Sequence, residues 1–553
     1  MTVQTTPSAD PIALAQGITA AIRAGRVDAG TTAEIEALLE GTKPGDRLRL
    51  AAVPALAQTG AVERAFALCD ELIAAFPYDA PPLRQKGMVA RDHGRHDVLA
   101  ELVAPMMAVS RTIIDLQTVC TFLEELRWTE LPLADLGPRL GIDTPPRPFL
   151  EFGLLLVMLR RAGEAAPYLR DLPEAVAGDP DVLIARAIAA AELGDGTAAN
   201  SLSAQALARR PFVSRASPRA EADILVVTDL ARGRFTPQQN YLGEAAYAIG
   251  NFPGQLQAGT FSYHFLHLQA PGLDRSPERL PPADLIIANL SWGDVQPADA
   301  AFRRFDWLQG RYGVVAINPP AQHVAMSRVA NYRRWGGRDD FIFPRTEAVT
   351  PDRDDIEGDA ELLANRFGFP FILRLAFTQK GGGMNLVESP EQLKAVLHEL
   401  AGQPCYAIDF FPAPFEAEGV RVKYRFAVVD GEAFAMRRDV NESWMVHRGT
   451  YSLAASPPAA VRQAEARFIE TNGADLPADL LAAVGTVART APLDIFGIDC
   501  GMTEDGRPII YEANALMKLI GHEFLRHQPA MRLTGDRVLG AIEEAIRQRL
   551  GGR

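Results

Sequence analysis

The chain is 553 residues long, 48% hydrophobic and 23% charged, with a formal net charge of −13. That is globular material for several domains, and the acidic balance argues against non-specific nucleic-acid binding while leaving room for local basic pockets. No segment approaches the ~20 consecutive apolar residues of a membrane-spanning helix, and the opening MTVQTTPSADPIALAQ lacks the basic start and apolar core of a secretory signal, so a cytoplasmic protein with neither membrane nor nucleic acid as partner is expected. Cys69, Cys120, Cys405 and Cys500 are far apart, without a CxxC or Cys/His cluster; they read as reduced thiols in or near a core.

Up to about residue 215 the chain is rich in Ala, Leu, Arg and Glu with helical periodicity, as in RAFALCDELIAAF and DVLIARAIAAAELG. Gly60 is followed seventeen residues later by Pro77, Gly163 by Pro180 and Gly194 by Pro211, and Gly60 and Gly94 are 34 apart. That is the step of a helix-turn-helix repeat, in which the glycine permits a tight turn and the proline ends the second helix. Such a half is either packing alone or a binding surface for a peptide or protein.

From Ala222 the composition changes. DILVVTD, DLIIANL and YGVVAINPP are short β-branched runs separated by segments of helix length, the pattern of an α/β layer. Further on, PFILRLAF, MNLVE, YAIDFF, KYRFAVVDG, EAFAMRR and SWMVH read as strands, with helices over 390–401, 457–471, 478–491 and the C-terminal GDRVLGAIEEAIRQRL. TQKGGGMN joins two of the strands. Its glycines Gly381, Gly382 and Gly383 permit close backbone approach to phosphate, with Lys380 adding charge, although a glycine triplet alone is equally a flexible turn. Arg374 sits mid-strand among apolar residues and needs an anionic partner, either a nucleotide phosphate or a structural carboxylate. Lys423 and Arg425 alternate on one strand face, which read alone is also a solvated face.

The closing stretch FGIDCGMTEDGRPIIYEANAL, residues 496–516, reads as a hairpin about a two-residue Asp505-Gly506 turn. That register puts Asp499 opposite Glu512 and Gly501 opposite Ile510. Phe496, Ile498, Cys500, Met502, Ile509, Tyr511, Ala513 and Ala515 then share a core face. Gly497, Asp499, Gly501, Ile510, Glu512 and Asn514 share the other. Two facing carboxylates repel; a divalent cation held by Asp499, Glu512 and Asn514 relieves that, as does plain exposure to water.

The order of these motifs resembles an ATP-grasp protein, similar to glutathione synthetase-like and ribosomal-protein-modifying ligases, joined to a tetratricopeptide-like helical half. The resemblance covers roughly Asp223 to Leu519. It is carried by AINPP with the following SR, FIFPRT, FPFILR, KYRFAVVDG, SWMVH and the terminal FGIDCGMTEDGRPIIYEANALM. It implies a multidomain fold: an N-terminal all-α helical repeat over 1–217, an α/β pre-ATP-grasp domain over 218–345, and an α+β ATP-grasp domain. The last comprises a central lobe with the phosphate flap over 346–411 and a C-terminal lobe with the metal site over 412–553.

The resemblance further implies ATP and Mg2+ as cofactors, with Asp499, Glu512 and Asn514 as the metal set. Arg374, Lys380 and Gly381–Gly383 would hold phosphates, and a hinge with Asp409 and Phe410 would receive the adenosine. Lys423 and Arg425 would act at the reacting phosphate, and His447, Arg328 and Asn318 on the substrate side. The implied reaction joins a small carboxylate to an amine or peptide through an acyl phosphate, releasing ADP and phosphate. The same fold also allows a phosphotransferase or a non-catalytic nucleotide-binding scaffold. Two departures stand out: Arg374 occupies a place where many such enzymes carry lysine, and Arg437-Arg438-Asp439 is unusually charged, so the acceptor is left undefined.

Overall fold

The computed structural model describes residues 29–40, 47–143, 145–230, 234–235, 242–248, 252–275, 277–290, 299–376, 383–416, 419–446, 459–515, 517, 519 and 529–551. Two compact units divide the chain: Met1–Ala206 with Phe235–Gly243, and Leu207–Arg234 with Glu244–Arg553. The first unit thus ends before the expected residue 217, because Phe212–Arg215 pairs as a strand inside the second.

Helices account for the first unit's described regular structure, among them Val53–Gln58, Val62–Ala75, Ala80–Asp92, His96–Val109, Ile113–Glu125, Leu150–Met158 and Pro180–Glu192. Five turns between them share one geometry. Gly60, Gly94, Arg127, Arg160 and Gly194 all have positive φ, 86°, 66°, 57°, 62° and 84°, and recur every 33 or 34 residues. The residue after each donates its N–H back five positions: Ala61 to Leu56, Arg95 to Ala90, Trp128 to Leu123, Arg161 to Leu156 and Asp195 to Ala190, at 2.8–2.9 Å. This is the 6→1 bond of a glycine-type helix C-cap. Gly163, expected at such a turn, lies instead within the helix Ala162–Leu169, and Arg160 makes that turn. Two arginines accept the left-handed conformation at about 1 kcal/mol each, which hides the period from a search for glycines. Gly87 serves packing: a Cβ there would lie 2.0 Å from Phe122 Cζ, so the two helices approach this closely only without a side chain.

The second unit opens with β1 (Phe212–Arg215), β2 (Ala222–Thr228), β3 (Phe261–His267), β4 (Leu285–Asn289) and β5 (Ala316–Ile317), in sheet order β1-β3-β2-β4-β5. All neighbours are parallel except β1 with β3. β3 is fully buried, yet its sequence FSYHFLH gave no strand signal because two histidines and a serine interrupt the apolar run. Inside, His267 is hydrogen-bonded to the Thr228 hydroxyl and to the Ala246 carbonyl.

Two antiparallel four-stranded sheets follow. β6 (Thr346–Val349), β7 (Phe371–Leu375), β8 (Met384–Val387) and β9 (Cys405–Asp409) take the order β6-β9-β7-β8. The helices Ile356–Phe367 and Pro390–Leu400 pack on them through Ile356, Leu363, Phe371, Leu373, Leu393 and Leu397. β10 (Arg421–Val429), β11 (Glu432–Asn441), β12 (Ile495–Met502) and β13 (Pro508–Asn514) take the order β11-β10-β12-β13. Their core joins Phe426, Val428, Phe496 and Ile498 to Phe468, Leu480 and Val484 of the helices Ala459–Glu470 and Ala478–Thr490. The stretch SWMVH, expected as a strand, is irregular from Ser443 to Val446: the Asn441 side chain accepts from Ser443 N–H and donates to the Met445 carbonyl, which turns the chain out of the sheet.

The β12–β13 hairpin pairs Asp499 with Glu512, as expected, but by another route. Its loop has three residues, Glu504-Asp505-Gly506, closed by Thr503 N–H to the Arg507 carbonyl at 2.9 Å, with Gly506 at φ 78°. Gly501 therefore faces Ile509, not Ile510, and a bulge at Tyr511 restores the register before Glu512. Ile510 is consequently a core residue beside Cys500, where the sequence reading had placed it on the site face. All four cysteines are free and buried. Among the described residues no helix is long and apolar enough to cross a membrane.

Candidate functional site

One row of side chains crosses the last sheet. Arg437 on β11 lies opposite Arg425 on β10, Arg425 opposite Asp499 on β12, and Asp499 opposite Glu512 on β13. Two bulges flank it, at Met436 and Tyr511, and such irregularities re-aim side chains. Arg425 grips Asp499 with two bonds, Nε to Oδ1 at 2.6 Å and Nη2 to Oδ2 at 2.8 Å, and Lys423 Nζ stands 2.7 Å from Oδ2. Asp499 is only 2% exposed. Burial by itself pushes its carboxyl up, yet Arg425 and Lys423 outweigh that and hold it well below the usual range. For Arg425 burial opposes the charge and Asp499 more than compensates, so the guanidinium is held above its ordinary value. Arg437 Nε donates to Asp439 Oδ2 at 3.1 Å, and Asp439 acts on Arg425 as well.

Glu512 is partnered differently. Its Oε1 accepts from Arg328 Nη2 and from Asn514 Nδ2, the latter at 2.8 Å. Burial raises its carboxyl, but Arg328 and then Arg374 pull it below the ordinary value. Arg374, buried on β7, thus reaches this site electrostatically from the neighbouring sheet. The two facing carboxylates do not stand as a bare repelling pair: each is neutralised by its own cations.

Seven of the expected residues therefore converge: Arg328, Arg374, Lys423, Arg425, Asp499, Glu512 and Asn514. Others fall elsewhere. Asn318, at φ 54°, accepts with its side-chain oxygen from Asp494 and Ile495 N–H and donates to the Ile495 carbonyl. Its amide clasps the start of β12 to the end of β5 and is spent on backbone. Asp409 ends β9 and pairs with Arg345 Nη2 at 2.8 Å, and the Arg345 guanidinium lies 4.4 Å from the Phe367 ring centroid. The Phe410 ring meets Trp444 edge-on at 5.6 Å. Lys380, Gly381, Gly382 and His447 lie outside the described residues; the carbonyl of Gly383, at φ 64°, accepts from Leu375 N–H at 3.0 Å.

Arg437 and Asp439 were missed as site residues. The Asp430-Gly431 turn, with φ 49° and 79°, announces the β10–β11 hairpin, but counting from it sets Met436 opposite Arg425. Only the bulge brings Arg437 there.

Among the described residues no three His, Cys, Asp or Glu side chains cluster as a ready metal cage. Glu512, Asn514 and the opposed Asp499 are nonetheless hard oxygen donors of the kind magnesium takes, since that ion is commonly held by one or two carboxylates with phosphate oxygens and water completing its shell. The residues fit such an ion.

No family model matches the chain, and no curated protein matches it. Among solved structures it is similar to N5-carboxyaminoimidazole synthase from Aspergillus clavatus in complex with ADP and 5-aminoimidazole ribonucleotide, at 12% identity over 42% of this chain and 53% of that one, TM-score 0.27. It is also similar to D-alanyl-alanine synthetase A from Vibrio cholerae, at 12% identity over 49% and 78%, TM-score 0.31. A third is the ATP-grasp ligase PsnB with a phosphomimetic precursor variant, Mg and ADP, at 15% identity over 44% and 65%, TM-score 0.26. The chain spans about half the length of the first of these. With likeness this low, the functional reading has to come from the residues of the site.

Proposed function

We propose that the chain is an ATP-grasp ligase that uses magnesium and ATP to activate a carboxylate as an acyl phosphate, releasing ADP, and passes the acyl group to an amine with phosphate as the leaving group. The observation that carries this reading is the charge of the site: among the described residues five cations, Arg328, Arg374, Lys423, Arg425 and Arg437, are gathered with three carboxylates, Asp439, Asp499 and Glu512, in a chain of net charge −13. A local cationic excess in an acidic protein suits a polyphosphate.

Glu512 and Asn514, with Asp499 opposite, would hold magnesium, which when bound supplies charge neutralisation at the phosphates. Asp499 keeps the Arg425 fork and the Lys423 ammonium aimed into the site, and these two offset negative charge on the group being transferred. No side-chain nucleophile takes part. The segment Lys380–Gly383, of which Lys380, Gly381 and Gly382 lie outside the described residues, would by the family resemblance be the phosphate-binding loop that keeps water from the acyl phosphate. The helical unit, with its 33–34-residue turn period, we read as a degenerate tetratricopeptide-like array that presents a peptide or protein acceptor.

Incubation with ATP, magnesium and pooled amino acids, dipeptides and small carboxylic acids, followed by mass spectrometry, tests the reading. Hydroxylamine supplied in place of the amine should yield a hydroxamate. A stable phosphorylated product that survives hydroxylamine would identify a phosphotransferase instead.

A further inference from the structure

The magnesium site proposed above contains a cation that the metal has to displace. Arg328 is the first residue of the helix Arg328–Trp335, which Ser327 caps by accepting from Ala330 N–H. One turn on, Asn331 Nδ2 donates to the Ala513 carbonyl at 2.9 Å and to the Met326 carbonyl at 3.1 Å. The backbone of Arg328 is thereby anchored beside β13, and its side chain is the part able to change partners. Its Nη2 donates to Glu512 Oε1, the oxygen that Asn514 also uses.

A guanidinium and a divalent ion cannot share that carboxylate comfortably, because like charges a few ångströms apart repel strongly where water is scarce. Asp499 offers no alternative first foothold: both its oxygens are engaged by Arg425 and Lys423, and it is 2% exposed. Glu512 is the more accessible of the two, with its side chain 22% exposed against 2% for Asp499.

Resting on the magnesium–nucleotide reading, we propose that Arg328 is an exchangeable counter-ion: it occupies Glu512 in the free protein, yields it to the metal, and so sets the metal affinity of the site. Arg328 then acts as a positioning residue. It keeps Glu512 oriented, and it discourages capture of a free metal ion before the nucleotide arrives with its own charge.

The test uses the full chain and Mn2+ as a paramagnetic stand-in, its binding followed by electron paramagnetic resonance with and without a non-hydrolysable ATP analogue. Without nucleotide, Arg328→Gln should bind Mn2+ at least tenfold more tightly than the wild type. Arg328→Lys, which retains the charge and the helix start, should stay within a few-fold of the wild type. The gain should vanish in the Arg328→Gln, Glu512→Gln double variant. Circular dichroism of all variants separates loss of fold from loss of charge, and the lysine variant carries the comparison should the glutamine variant not fold: a large rise in Mn2+ affinity with lysine would overturn the proposal. If the wild type binds Mn2+ with nucleotide but Arg328→Gln binds the free ion no better, the counter-ion role fails and the ligase reading stands. If no variant binds Mn2+ even with nucleotide, both fall.

Discussion

The two antiparallel four-stranded sheets of the second unit share an architecture and differ in what their strands carry. In β6–β9 the core face is apolar, Phe371, Leu373, Val387, Cys405 and Ala407, Arg374 is the one charged residue buried on a described strand, and Asp409 forms its pair with Arg345 at the end of β9, both side chains a quarter or more exposed. In β10–β13 one face carries the apolar core, but the other buries Arg425, Arg437, Asp439 and Asp499. A sheet that only needed stability would gain little from this, because desolvating an ion pair offsets most of its attraction. Charges kept at that cost are the mark of a site whose task is to meet further charge.

That contrast is open to direct attack. Removing one member of the buried pair leaves two cations without their anion, so Asp499→Ala should lower unfolding stability by roughly 3–5 kcal/mol in urea titrations. A loss below 1 kcal/mol would equate the two sheets.

Arg425→Met removes the fork aimed at the phosphates, and ADP release should fall about 10²–10³-fold. The corresponding change at the other sheet, Arg345→Met, should leave turnover within a few-fold; equal losses would show that the second pair belongs to the chemistry too.

Mild acid separates both sheets from the five-stranded one. Burial lowers His267 and His323 to about 4, below their ordinary 6.5. The unfolded chain then binds protons that the folded chain refuses, so this stabilisation is complete above pH 6.5 and declines as pH falls toward 4, by roughly 3 kcal/mol for each histidine. Asp499 behaves oppositely in range: its depressed carboxyl contributes above its unfolded value and is lost only at far lower pH. Unfolding at pH 7 and pH 5 should therefore show a decline that His323→Gln reduces and Asp499→Asn does not.

The smallest effect belongs to the exposed pair. Asp409→Ala should cost about 1 kcal/mol or less, since water already screens both partners. A cost as large as that of Asp499→Ala would mean that β6–β9 also holds a buried charge network.

The residues themselves determined much of this. Hydrophobic runs located β2, β4, β5 and β7–β13, the helices 390–400 and 478–490, and the confrontation of Asp499 with Glu512, because register within a hairpin is set by contiguous residues and their turn. Even there the agreement passed through two compensating irregularities, a loop one residue longer than Asp505-Gly506 suggests and the bulge at Tyr511. Tertiary structure alone decided that Arg437 rather than Met436 stands beside Arg425, that arginine makes two of the five helical turns, and that Arg328 reaches Glu512 across 184 residues of chain. A bulge is a one-residue slip with almost no compositional mark, and an ion pair between distant segments depends on how separate elements pack. Neither quantity is a property of any short window, so neither could be read along the chain.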